Sequence, residues 1–130
     1  GDVRLGAPPP GRIGWAVGIR TLGADIEQII QVSNCAVSTS GDLERYVEIE
    51  GTRYSHIIDP GTGLGLTRRI AATVVAPTAV QSDPLATFCC IRPERARKVF
   101  AAGEISCRIV GLGGGPYDHR TQQFPAFTLP

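Results

Sequence analysis

Residues 69–91 read RIAATVVAPTAVQSDPLATFCCI, and the change of pattern inside this stretch decides the fold class. From Arg69 to Ala76 the run is apolar and partly β-branched, the composition of a buried strand, and Pro77 stops it. From Ala79 to Ile91, Val80, Leu85, Phe88 and Ile91 recur at a spacing compatible with a helix. Upstream, the chain reads as strands and turns. Gly1 to Leu5 opens as a strand, and Pro8-Pro9-Pro10 stiffens a loop. Ile13, Trp15, Val17 and Ile19 then alternate with small or polar residues, the period of a half-buried strand. Ile29–Ser33 and Cys35–Ser38 read as β-structure interrupted near Asn34, with a short helix from Asp25 as the competing reading. Tyr46–Glu50 and Arg53–Ile58 predict a hairpin around Gly51. Downstream, Pro93 at a first helical position starts a second helix that runs toward Gly103. Ile105–Leu112 is the last strand. Strands thus precede helices instead of alternating with them. This predicts an α+β fold, with a mainly antiparallel sheet and two helices near the C-terminal end. Residues 1–112 form one unit, and 113–130 are expected as a Gly/Pro-rich extended tail.

With 42% hydrophobic and 19% charged residues, the 130-residue chain has the composition of a packed domain. A domain of this size buries roughly two-thirds of its unfolded surface. The net charge of +1 supplies no field for nucleic acid or an acidic membrane. No apolar run approaches the length of a membrane span and no charged-then-apolar leader opens the chain, so a soluble chain is expected. The lack of methionine, with an opening that is already strand-like, reads as a piece of a longer protein. Cys35, Cys89, Cys90 and Cys107 match no zinc-ligand spacing. They are expected as buried structural thiols, with their redox state left open.

Three polar clusters fall in loops or at element ends, where scaffolds display function. The first, Ser38-Thr39-Ser40-Gly41-Asp42, suits close approach of backbone N–H groups to phosphate, and equally suits an ordinary turn. The second, HIIDPGTG over residues 56–63, leaves a strand into a tight turn. Asp59 there suits a side chain capping its own loop, while His56 is placed to meet a flat ligand or handle a proton. The third, SDPLAT over residues 82–87, sets Asp83 and Thr87 at i and i+4, about 5–6 Å apart at Cβ. Two such oxygens suit a hard cation such as Mg²⁺, which fills the rest of its shell with water and phosphate. Asp83 as a helix N-cap followed by Pro84 fits the same spacing.

Taken in order, GDVRLG (1–6), AVSTSGDLERY (36–46), GTRYSHIIDPGTG (51–63), and AATVVAP (71–77) followed by SDPLAT (82–87) resemble the ApbE family of FAD:protein FMN transferases. The resemblance runs from Gly1 to about Leu112 and corresponds to the C-terminal part of the family's chain, within a larger ApbE-like fold. It implies an Mg²⁺-dependent enzyme that splits FAD as substrate and transfers FMN to a threonine or serine of a target flavoprotein. Some members instead hydrolyse FAD to FMN and AMP, and a non-catalytic flavin-binding scaffold is the further alternative. The implied metal residues are Asp83 and Thr87, and the implied flavin-site residues are Thr39, Ser40, Gly41 and His56. His56 and Asp59 are the implied catalytic pair. The implied partners are FAD, the acceptor protein and the missing N-terminal half, without which this portion is expected to be weak or inactive alone. The implied location is the bacterial periplasm or the outer face of the inner membrane. The chain departs from the family in carrying Gly61 where Arg is usual and Pro84 where Ala is usual. Pro84 is expected to bias Asp83 away from helical geometry.

Overall fold

The structure, a computed structural model, describes residues 1–23, 25–101, 103–112, 117–122 and 124–125. In chain order the strands are β1 (Asp2–Arg4), β2 (Trp15–Ile19), β3 (Gln28–Val32), β4 (Ala36–Gly41), β5 (Tyr46–Ile49) and β6 (Thr52–Ser55). They continue as β7 (Ile58–Asp59), β8 (Leu64–Gly65), β9 (Ile70–Ala76), β10 (Ser106–Gly111) and β11 (Tyr117–Arg120). The helices α1 (Ala79–Ile91) and α2 (Pro93–Val99) lie between β9 and β10. Five strands form one sheet in the order β1-β4-β9-β10-β11, and each adjacent pair is antiparallel. The sequence-based α+β expectation holds.

Alternation along β9 explains why its sequence reads as one apolar run. Ile70, Ala72, Val74 and Ala76 point to a core completed by Ala86, Cys89 and Cys90 of α1, Ala96 of α2 and Cys107 and Ile109 of β10. The other face meets a second core, in which Leu5, Val37 and Phe124 pack with Ile19, Ile30 and Val32 of the β2–β3 ribbon. A central strand covered on both faces shows no polar alternation. Cys89, Cys90 and Cys107 are buried, as expected of structural thiols, and Cys35 is half-buried. Burial pushes the Cys90 thiol up to about 12.

Two local expectations change, and one competing reading falls away. Residues Ser38–Gly41, read as a loop, are the second half of β4. Their backbone is claimed by β9 on one side and by β1 on the other, with Thr39 N donating to Gly1 O at 3.0 Å. Serine and glycine around Thr39 give a weak strand signal, and tertiary pairing overrides it. The last strand position requires glycine, because a Cβ at Gly41 would sit 2.8 Å from the Cβ of Ala71, its cross-strand partner. The competing helix from Asp25 is absent among the described residues; Gln28–Val32 is instead strand β3. In the segment expected as an extended tail, Tyr117–Arg120 pair with β10 as an edge strand and Phe124 is buried, while 113–116, 123 and 126–130 lie outside the described residues. The interruption expected near Asn34 is real: Asn34 has φ of +53°, a left-handed conformation that Asn tolerates, and joins β3 to β4.

The helix-side core predicts a measurable cost. Ile109 is fully buried against it, so Ile109→Ala should lower unfolding free energy by about 2–5 kcal/mol in urea titration. A loss below about 1 kcal/mol would show that this side of the sheet is not tightly packed.

Candidate functional site

The site is built where α1 crosses β4. The even-numbered residues of β4 face the helix, and two of them make side-chain hydrogen bonds to it. Ser38 Oγ lies 2.7 Å from Ser82 Oγ, and Ser40 Oγ lies 3.0 Å from Thr87 Oγ1. Cys90 Sγ donates to the Ser40 carbonyl at 3.5 Å. With Ala86 fully buried between these contacts, the helix presents only small groups to the strand and approaches it closely. Thr39, of opposite parity, bonds Thr73 across the sheet at 2.8 Å.

The cap reading of Asp83 fails. The N-cap of α1 is Thr78, and Asp83 and Pro84 lie inside the helix. Thr78 O accepts from Gln81 N and Ser82 N, so the first turn is already formed before the proline. Pro84 removes one rung of the ladder, the bond to the Val80 carbonyl. Val80 lies on the exposed side of the helix, 85% exposed, where a carbonyl without a helical partner costs least. The local bias against helix before proline is overcome by the packing of the buried face.

Thr39, Ser40 and Gly41 of β4, Asp83 and Thr87 of α1, and His56 after β6 line one cavity of about 450 Å³. Six of the seven candidate residues thus meet, although they come from three separate stretches. Asp59 does not line the cavity. It accepts both Gly61 N at 2.9 Å, the self-capping turn expected from its sequence, and a two-pronged contact from Arg92 at 2.9 and 3.0 Å. Asp42 is also structural, buried with its Oδ2 2.7 Å from Arg69 and 3.1 Å from Arg53. These two carboxylates hold the loops on either side of His56. His56 itself is exposed, and its backbone N–H and ring Nδ1 both meet the Arg45 carbonyl, at 3.0 and 3.1 Å. A carbonyl only accepts, so Nδ1 carries a proton and the neutral ring keeps its lone pair on Nε2.

Residues to which the sequence assigned no role complete the lining. Asp2, Glu44 and Arg45 bring charge from β1 and the loop after β4, and Arg20, at the end of β2, pairs with Glu44. Arg20 comes from a different sheet, so nothing in its local sequence marked it; Asp2 lay within a quoted motif but carried no role. Among the described residues no three His, Cys, Asp or Glu side chains cluster as a metal centre. The donor set of Asp83 and Thr87, all oxygen and deliberately sparse, fits Mg²⁺ with water and phosphate completing its shell, and does not fit Zn²⁺.

Residues 1–109 match the ApbE family. This chain belongs to that family. It is 32% identical over 133 residues to an FAD:protein FMN transferase of Vibrio cholerae, a match covering 98% of this chain and 40% of that protein. It is 41% identical over 93 residues to one of Treponema pallidum, covering 68% and 25%. The ApbE protein of Thermotoga maritima superposes with a TM-score of 0.83 at 32% identity, over 95% of this chain and 41% of that one. A mutant of flavin transferase ApbE from Vibrio cholerae, with histidine changed to glycine, superposes with a TM-score of 0.76 at 30% identity, over 95% and 41%. The matches thus span between 25% and 41% of the length of these relatives.

The Asp59–Arg92 contact makes a pH prediction. The Arg92 guanidinium, followed by the Gly61 N–H, holds the Asp59 carboxyl at about 2. A depressed folded-state value means the contact's stabilisation is fully present above the ordinary value of 3.8 and is lost as pH falls through about 2. Carboxyl ¹³C NMR should show Asp59 titrating near the lower value, and Arg92→Ala should move it up toward the ordinary one. An unmoved midpoint in the variant would refute the pairing.

Proposed function

We propose that this chain is the catalytic C-terminal portion of an FAD:protein FMN transferase that works with Mg²⁺ and with a preceding portion of the same protein. The observation that carries this reading is the shared cavity of Ser40, His56, Asp83 and Thr87. Its support from outside the chain is the name borne by its relatives, FAD:protein FMN transferase. FAD is the substrate, and a serine or threonine hydroxyl of a target protein is the acceptor.

Phosphoryl transfer asks a protein mostly for positioning and charge neutralisation. The Asp83 carboxylate and Thr87 hydroxyl would hold Mg²⁺, which neutralises diphosphate charge when bound. Thr87 can offer an oxygen lone pair to a cation while donating its proton to Ser40 Oγ. Ser40 is then free to donate its own proton to a phosphate oxygen. His56 Nε2, with Nδ1 tied to Arg45 O, is the group available to take the acceptor's proton. The acceptor oxygen bonds to the phosphorus of the FMN half, the bond from that phosphorus to the bridging oxygen breaks, and AMP leaves. Arg20 and Arg45 add positive charge to the lining. Asp59 acts at a distance, by holding the turn that follows His56.

Asp83→Ala in the full-length protein should abolish Mg²⁺-dependent flavinylation of an acceptor, read as a fluorescent protein band, with little change in the melting curve. His56→Ala should slow turnover by roughly 10²–10⁴-fold, the range typical for loss of a general base, with less effect on cation affinity. Normal turnover by Asp83→Ala would exclude the cation assignment. Release of FMN and AMP without a labelled acceptor would replace transfer by hydrolysis.

A further inference from the structure

We infer that the buried hydroxyl pair Ser38–Ser82 is a positioning device that aims Asp83 into the cavity. The inference rests on the cation role proposed for Asp83. Ser38 is 1% exposed and Ser82 fully buried, and neither lines the cavity. Their 2.7 Å contact is therefore not a means of binding substrate directly.

It is also an odd choice for stability alone. A buried hydroxyl must keep its partner, whereas two apolar groups of similar size fill the same space with nearly the same net stability. What a hydrogen bond adds is direction. Small apolar groups tolerate sliding and rotation of a helix over a strand; a hydroxyl pair fixes both.

The need for such a fix lies one residue along. Pro84 interrupts the α1 ladder immediately after Asp83, so the segment before it is joined to the segment after it by one bond fewer. Each segment is pinned separately to β4. The first is held by Ser82 to Ser38, the second by Thr87 to Ser40. The spacings agree: two residues along a strand cover about 6.8 Å, and the five residues from Ser82 to Thr87 rise about 7.5 Å along a helix. The two contacts are thus parallel rungs. Asp83 sits beside the first rung and Thr87 is in the second. Without the first rung, Asp83 would depend on an interrupted helix for its aim.

A three-variant series separates positioning from mere packing. Ser38→Ala, Ser82→Ala and the double variant are made in the full-length protein. Each is assayed for urea unfolding and for Mn²⁺ affinity in the presence of FAD by electron paramagnetic resonance. Each single variant strands a buried hydroxyl and should be less stable than wild type. The double variant should recover most of that stability, yet bind Mn²⁺ roughly tenfold more weakly or worse, the scale of loss when an outer partner of a ligand is removed. Ser82→Cys, which keeps a weak donor, should restore part of the affinity. Wild-type Mn²⁺ affinity in a stably folded double variant would overturn the inference while leaving the cation role of Asp83 intact. Equal Mn²⁺ affinity in wild type and Asp83→Ala would instead overturn that cation role, and this inference with it.

Discussion

The close seat of α1 on β4 is the contact on which the other features of the cavity depend. Ser82, Ala86 and Cys90 face the strand with no large side chain among them, so the helix lies near enough for direct hydroxyl–hydroxyl bonds. At that separation the helix edge bearing Asp83 and Thr87 shares a cavity with the strand end bearing Thr39, Ser40 and Gly41. A helix held further away by larger side chains would lose both bonds and open the cavity along its length.

Ion pairs then place the loops. Asp42, at the end of β4, gathers Arg53 of β6 and Arg69 just before β9. Arg53 also stacks on Tyr46, 3.2 Å from the ring centre, so the β5–β6 hairpin is tied to the sheet at its base. Asp59 and Arg92 tie the turn after His56 to the junction between α1 and α2. Exposed ion pairs contribute little stability individually. Their value here is geometric, because His56 stands on a chain segment fixed at both ends. The Arg45 carbonyl adds the last constraint by setting which ring nitrogen is free.

The cavity wall is mixed in charge, with carboxylates from Asp2, Glu44 and Asp83 set against guanidiniums from Arg20 and Arg45. Among its lining residues the imidazole of His56 is the one aromatic ring, with no Phe, Tyr or Trp. Such a wall suits a phosphate-and-cation pair better than a flat ring.

Much of this was readable from the chain itself. Periodicity marked α1 to the residue and separated β9 from it at Pro77, because burial on one or both faces leaves a local trace in the order of apolar residues. Motif order pointed to Thr39, Ser40, Gly41, His56, Asp83 and Thr87. Three things were not readable. Ser38–Gly41 looked like a loop because strand pairing with β1 and β9 is non-local, and Ser and Gly outweigh the strand preference of Thr39. A cap reading of Asp83 stayed open because propensity rules see Pro84 but not the buried face that keeps the helix intact across it. Asp59 read as a cap of its own loop, which it is, but its ion pair with Arg92, 33 residues later, left no local sign. Local order thus determined the elements and the candidate side chains. Which of them face one another was decided only by tertiary packing, because a contact between distant segments leaves no periodic mark in either.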